Sequence, residues 1–420
     1  MRSILQKREL RLVFLANVVS MLGSGMNSAA VTWFILQATH SETALGTLVV
    51  LQTLPAMMML PFTGVIIDRE DRRHLVMILD GARGLIILTV ALLAFAGRVH
   101  LWQLYLMNML VAAGFWMFWP TITALIQELT PQAEYVNSNT FLMAGVQGGW
   151  LLAGGLVGFV YNHIGLGGVL LIDCATYLVS LGCYFSLRKG RHVVSQPGKL
   201  HEEIVSAETA FTRYWKEMRE GIQYLRGNRY VVLLGISWAL FLGAMLTQGV
   251  VTAPLSDRIL HAGAVGYGWL NAAWGIGAFV SALYVPSLIA KLNARRALAL
   301  AMAMLAVSIA FAPYSHFLAL AVLLYCVMGS ARGVGGVSIS SGMMERVPPH
   351  FMGRVQNTFY FAGTALQVGL GLLVGIVAHR LGLTLGFAII AVVYTVAFAT
   401  AAASGGVVED QVPRELSVAD

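Results

Sequence analysis

Residues 64–73 read GVIIDREDRR, and six of the ten carry a formal charge in a chain where only 11% of residues are charged. The run closes a stretch, Ala44 to Ile67, that holds no charged residue. Arg69, Arg72 and Arg73 need no more than the rule that basic residues flank the cytoplasmic ends of membrane spans. Gly64 and Asp68 are left over by that rule. Glycine lets two helices approach closely, because no side chain holds them apart. A carboxylate at the membrane edge accepts hydrogen bonds from arginines or from the N-terminus of a neighbouring helix. Such a set suits ion pairing that forms and breaks, not covalent chemistry. An enzyme would need a nucleophile with its base, or metal ligands spaced as in H-E-x-x-H, and the sequence contains neither. It predicts no enzyme, no cofactor and no metal site.

The other chemistry-bearing residues lie inside apolar runs. Arg332 falls near the middle of one, where a bare charge is costly, so it must face protein or a water-filled cavity. Two roles are open to it: contact with a substrate, or bonding to backbone carbonyls of the glycine-rich GSARGVGG segment. Asp80 and Arg83 share a helical face and suit a pair with each other or with the 64–73 loop. Asp173 is the best candidate for a proton carrier within the membrane, with a structural role as the other reading. Asn17, Ser20, Ser24, Asn27 and Val31 form one helical stripe, four of them polar, which fits helix packing or substrate contact. Trp116 and Trp119 share a face beside Phe115 and Phe118, turned to a cavity or to lipid. Met245 with Gln248, and Asn271 with Trp274, are further cavity candidates. Cys174, Cys183 and Cys326 lie in apolar runs as small packing residues, with no CxxC pair.

Helices in lipid must position these residues. The chain has 420 residues, 58% of them hydrophobic, and a mean hydropathy of +0.74, too little charge to cover a soluble surface. Its net charge of +7 lies in short clusters between apolar runs, which argues against nucleic acid as a partner. Apolar runs long enough to cross a bilayer recur at 12–37, 44–67, 75–97, 101–126, 138–162, 167–187, 230–254, 264–290, 297–314, 317–344, 355–379 and 383–404. The N-terminal run has no cleavage site and reads as a retained first span. The polar interval 188–229 reads as a linker between residues 1–187 and 230–420. Its second half has the spacing of an amphipathic helix with Phe211, Tyr214, Trp215, Met218 and Ile222 on the apolar side. Lys and Arg fall mainly on the side holding both termini and the linker, which places that side in the cytoplasm.

The two halves also repeat. IQELTPQAEYVNSNTFLMAG (126–145) and MERVPPHFMGRVQNTFYFAG (344–363) share an E-x-x-P and an NTF, at an offset of 217 (345 − 128) that gains one residue along the loop. The same offset sets Arg332 opposite Phe115.

With these features in place, the sequence resembles the major facilitator superfamily over nearly its whole length. Gly64, Asp68, Arg69, Arg72 and Arg73 match that family's G-x-x-x-D-R-x-x-R-R loop between spans two and three. VVSMLGSGMNSAAVTWFIL, LPAMMMLPFTGVIIDREDRR with LDGAR, EMREGIQYL and GRVQNTF are similar to bacterial macrolide-efflux and enterobactin exporters. The resemblance implies an all-α polytopic membrane protein with twelve transmembrane helices in two pseudo-symmetric six-helix bundles. It implies a cytoplasmic latch of Gly64, Asp68, Arg69, Arg72 and Arg73, with Asp80 and Arg83 beside it. The second-half loop PSLIAKLNARR has no acid, so the gate would be asymmetric. It also implies a central cavity, for which Ser24, Asn27, Phe115, Trp116, Trp119, Met245, Gln248, Asn271, Trp274 and Arg332 are the candidates. The implied activity is secondary active export of a drug, siderophore or lysolipid from a monomer in a bacterial-type cytoplasmic membrane, with a proton as coupling ion. An importer or facilitator of a polar solute, or a non-transporting sensor, are the other readings. Two positions depart from the exporters: Ser24 stands where an acid is common, and GGLVGF (154–159) lacks the proline and last glycine of their GP-x-x-GG.

Overall fold

The structure, a computed structural model, describes residues 7–130, 135–187 and 207–410. It does so without the side chains of 60–62, 64, 65, 68, 69, 135–141, 143, 144, 207–211, 213, 349, 350 and 405–410. A backbone in hydrocarbon has no water to bond, so an apolar chain satisfies its amides internally, as helix. Five helices come first: α1 (Arg8–Thr39), α2 (Glu42–Arg69), α3 (Arg72–Phe95), α4 (Leu101–Leu129) and α5 (Tyr135–Phe185). After α6 (Ala207–Arg226) come α7 (Arg229–Pro254), α8 (Gly263–Phe311), α9 (Leu318–Arg346), α10 (Pro349–Leu381) and α11 (Leu383–Asp410). All but α6 contain a segment long and apolar enough to cross a membrane.

At 51 and 49 residues, α5 and α8 are each more than twice the ~20 residues that a bilayer needs. Each folds back on itself. The turn in α5 is at Gly165 (φ 65°), where a missing Cβ permits the left-handed φ. In α8 it is at Asn293 (φ 65°), whose Oδ1 accepts from the Arg296 amide at 3.0 Å and caps the second arm. The expected spans 138–162 and 167–187, and 264–290 and 297–314, thus lie as separate helices on either side of the kinks at Gly165 and Asn293.

Helices α1–α5 pack chiefly on one another, as do α7–α11, and the two groups meet along α5/α8 and α2/α10. One end of the bundle, here called proximal, carries the start of α1, the linker helix α6 and the end of α9. The distal end carries the α1–α2 and α7–α8 connections and the end of α10.

Linker helix α6 lies against α10 on a stripe that keeps Tyr214 and Met218 of the expected face and is rotated away from the rest. Tyr214, Met218, Gly221 and Leu225 are buried, whereas Trp215 and Ile222 are exposed, and Phe211 lies outside the described side chains. The cause is Gly221: a Cβ there would stand 2.9 Å from the Arg354 carbonyl oxygen, so only glycine lets the helix seat this way. Trp215 still meets Phe361 edge-on at 5.7 Å from the rim of that seam.

Candidate functional site

Between the two groups lies a cavity of about 200 Å³. Its walls come from both: Gly25, Ser28, Ala29 and Thr32 of α1, Leu45, Leu48, Val49 and Gln52 of α2, and Trp150 and Gly154 of α5 on one side. Met245, Gln248 and Thr252 of α7, Tyr267, Asn271 and Trp274 of α8, and Tyr325 of α9 face them. None of the lining residues carries a formal charge. The polar ones are amides and hydroxyls held in place by neighbours. Gln52 Nε2 donates to Asn108 Oδ1 at 3.1 Å, Asn271 Nδ2 to the Tyr267 carbonyl at 2.8 Å, and the Tyr325 hydroxyl to Thr252 Oγ1 at 2.9 Å. The site can therefore hold a solute by hydrogen bonds along its wall and by the faces of Trp150 and Trp274.

The distal side of the cavity is sealed by close backbone contact. Apolar burial gives little drive between helices in lipid, so association depends on van der Waals contact and small residues. A Cβ on Gly154 would lie 2.8 Å from the Ala272 amide nitrogen, and one on Gly268 would lie 3.1 Å from the Gly154 carbonyl oxygen. The seam between α5 and α8 closes only because these positions are glycine. Above it Trp33 of α1 stacks on Tyr267 of α8, ring centroids 5.8 Å apart.

Four residues expected at a cavity, Met245, Gln248, Asn271 and Trp274, line this one. Arg332, at the midpoint of α9, does not line it but stands behind two residues that do. Its guanidinium lies 4.4 Å over the Trp274 ring, and its Nε donates to Met245 Sδ at 3.3 Å. Among the described residues no carboxylate pairs with it, and no backbone carbonyl accepts from it. Phe115 and Trp119 pack with the first group's core, and Trp116 meets Tyr360 of α10 edge-on at 5.8 Å. Ser24 and Asn27 face away from the cavity. The Ser24 hydroxyl bonds that of Tyr177 at 3.0 Å, and Asn27 Nδ2 donates to Asp173 Oδ2 at 2.7 Å. The cavity face of α1 is the adjoining Gly25–Ser28–Ala29–Thr32 stripe, whose small residues gave little sign of it.

Asp173 itself is fully buried, and its other side-chain contact is the Thr176 hydroxyl at 3.4 Å. Asp80 differs: it pairs with Arg83 and accepts from Ser180 at 2.6 Å. Arg83 is clamped between the rings of Phe118 and Tyr177, 4.6 and 4.8 Å from their centroids. All of these partners belong to α3, α4 and α5, so of the two expected pairings the structure shows that of Asp80 with Arg83, within one group.

Of the 64–73 run, the side chains of Gly64, Asp68 and Arg69 lie outside the described residues. Asp71, which the sequence reading gave no role, caps α3 by accepting from the His74 amide at 3.1 Å. Arg72 pairs with Glu128 at 2.5 Å, and Arg73 donates to the Tyr184 and Phe185 carbonyls at 2.7 and 2.6 Å, capping the end of α5.

A model of the Major Facilitator Superfamily matches residues 13–368. The chain is 22% identical over 383 residues to an uncharacterized MFS-type transporter, YkuC, of Bacillus subtilis, covering 87% of this chain and 85% of that one. It is also 22% identical over 379 residues to macrolide efflux protein A of Streptococcus pyogenes, covering 88% and 89%. Among solved structures, the nucleoside transporter NupG superimposes with a TM-score of 0.72 over 95% of this chain and 99% of that one, at 14% identity. That last likeness concerns the fold.

Proposed function

The chain belongs to the major facilitator superfamily, and on that premise we propose that it is a secondary transporter exporting amphipathic small molecules by alternating access. It is a multi-pass membrane protein of a transporter family, and the finer reading rests on the cavity. A chamber walled by both groups, and sealed on one side by a seam with no covalent link, supports rocking of one group against the other. In this reading residues 1–187 and 230–420 are the moving halves and 188–229 joins them. The excess of Lys and Arg at the proximal end supports a cytoplasmic placement of that end and of both termini, in a bacterial-type inner membrane. A monomer contains a complete cavity.

Export is favoured by similarity to a protein named for macrolide efflux. The substrate class is favoured by the lining, two tryptophans with a few amides and hydroxyls, and by the charge of Arg332 behind Trp274 and Met245. That pattern suits a flat apolar body with an anionic or polar group. Asp173 is the proposed proton carrier, because its partners are neutral donors whereas Asp80 is held by a guanidinium. A second reading, a facilitator or importer of a neutral polar solute, is favoured by the uncharged lining.

Proteoliposomes with an imposed pH gradient test this directly. The expected result is movement of an anionic aromatic dye or a macrolide, with dissipation of the gradient. Movement of a neutral nucleoside alone would select the second reading. Ligand binding without flux of any probe would make the protein a sensor.

A further inference from the structure

We propose that Glu42, Arg258 and His379 form a releasable latch that holds the distal entrance of the cavity closed, and that Glu42 positions the two halves for each transport cycle. The inference rests on the transporter reading above, which makes the distal end the external one. It concerns the side of the molecule opposite the 64–73 loop.

The geometry is that of a clasp between groups. Glu42, the first residue of α2, is fully buried. Its Oε1 stands 2.6 Å from Arg258 Nη1 and its Oε2 stands 3.1 Å from His379 Nδ1. Both partners belong to the other group. Arg258 sits in a π-helical turn, Leu255–Ile259, that follows Pro254 at the end of α7. The turn is pinned when Ser256 Oγ donates to the Gly263 carbonyl at 2.8 Å. His379 lies in the last turn of α10. Arg258 Nη2 also donates to the His40 carbonyl at 2.8 Å, where His40 ends α1 with a left-handed φ of 47°. One guanidinium thus ties α7 to both α1 and α2.

Below the clasp, α2 and α10 close like a zip. Thr43 Oγ1 donates to the Gly375 carbonyl at 3.3 Å, and Gln367 Nε2 donates to Thr53 Oγ1 at 2.5 Å. A Cβ on Gly375 would stand 2.8 Å from the Glu42 carbonyl oxygen, so the carboxylate is carried to its partners by backbones already in contact.

Two facts make this a latch and not a permanent staple. The Arg258 and His379 side chains are 40% and 44% exposed, so water can replace Glu42 as their partner when the halves part. Glu42, by contrast, is buried only while the entrance is shut, and a buried carboxylate needs a cation, here Arg258. Opening hydrates it, which removes the desolvation penalty together with the attraction. The two states therefore stay close in free energy, as a cycling gate requires.

The test uses the full chain in right-side-out vesicles, with Cys174, Cys183 and Cys326 replaced by Ala and a single reporter, Ser28→Cys, in the cavity. A membrane-impermeant maleimide is applied from outside. Glu42→Gln and Arg258→Gln are each expected to raise the labelling rate by about fivefold or more, the scale of roughly 1 kcal/mol. The exchange Glu42→Lys with Arg258→Glu is expected to restore slow labelling. Gly154→Val, which wedges the α5/α8 seam, serves as the positive control. If the wedge raises labelling and the latch variants do not, the latch is refuted while alternating access stands. If neither raises it, alternating access falls as well. Should Glu42→Gln fail to fold, the more exposed Arg258→Gln and His379→Gln carry the same prediction, and unchanged labelling in both overturns it.

Discussion

Replacing Arg332 separates a ligand-binding arginine from a structural one. The side chain stands behind Trp274 and Met245 at the midpoint of α9, with no carboxylate partner among the described residues. Arg332→Met keeps an apolar stem and removes the charge. Because Arg332 stands behind the wall, its charge acts through space, and against an anionic ligand the change should cost about 1.5–3 kcal/mol, the attraction of unit charges roughly 6–11 Å apart at an effective dielectric of about 20. That corresponds to a rise in Kd of about 10- to 150-fold. For a neutral ligand of the same shape the change should be within about twofold, under ~0.5 kcal/mol. Stability should behave oppositely. The lost cation–π contact with Trp274 is worth about 0.5–2 kcal/mol. Removing a midplane charge relieves about 2.5–3.5 kcal/mol of insertion cost. The variant should therefore melt at the wild-type temperature or slightly above it. The assay is quenching of intrinsic tryptophan fluorescence by anilinonaphthalene sulfonate and by its neutral counterpart phenylnaphthylamine, with thermal unfolding followed in parallel. Arg332→Lys should recover part of the anion's affinity. Equal weakening of both ligands, or a lower melting temperature with affinities unchanged, would refute the reasoning and return Arg332 to a packing role.

Asp80→Asn should be poorly produced or strongly destabilised, by about 3–5 kcal/mol, because it leaves the buried Arg83 guanidinium without its anion. Thermal unfolding of the detergent-solubilised protein reads this, and wild-type stability would mean that the pair is dispensable. Asp173→Asn is nearly isosteric and keeps an acceptor for Asn27, so it should fold normally and lose the proton dependence of flux. Flux that still follows the pH gradient would remove Asp173 from the coupling path. Asp68→Asn should slow transport and raise the share of molecules open towards the cytoplasm, measured by maleimide labelling of a cavity cysteine in inverted vesicles. Unchanged flux and labelling would make the 64–73 run a solvated turn.

Much of the architecture could be read from apolar run lengths, because lipid leaves the backbone few alternatives to helix. Where the reading differed, local geometry decided. Gly165 and Asn293 each break the helix with one residue of non-helical backbone, so the paired spans need no longer polar loop between them. Met245, Gln248, Asn271 and Trp274 were legible because amphipathic side chains inside apolar spans need polar or protein surroundings. Ser24 and Asn27 were equally visible as a stripe, but helical periodicity names a face and not the helix it meets. That face meets Asp173 and Tyr177. Glu42 was not legible at all. It looks like an acid at a helix start, and its two partners arrive from chain segments far away in sequence.

The polar stripe of α1 has a mechanical consequence. Asn17, Ser24 and Asn27 bond Tyr184, Tyr177 and Asp173, all on the second arm of α5. Spaced along two antiparallel helices, these bonds act as rivets, and α1 can neither roll nor slide on that arm. Through the bend at Gly165 the same helix runs on into the arm that carries Gly154, the residue closing the seam against α8. A solute pressing on Ser28 and Thr32 therefore bears on a framework that reaches the seam without a soft joint other than that bend. In the transport reading proposed above, occupying the chamber and straining its far wall are one mechanical event, and loosening the rivets should let ligands bind without moving the gate.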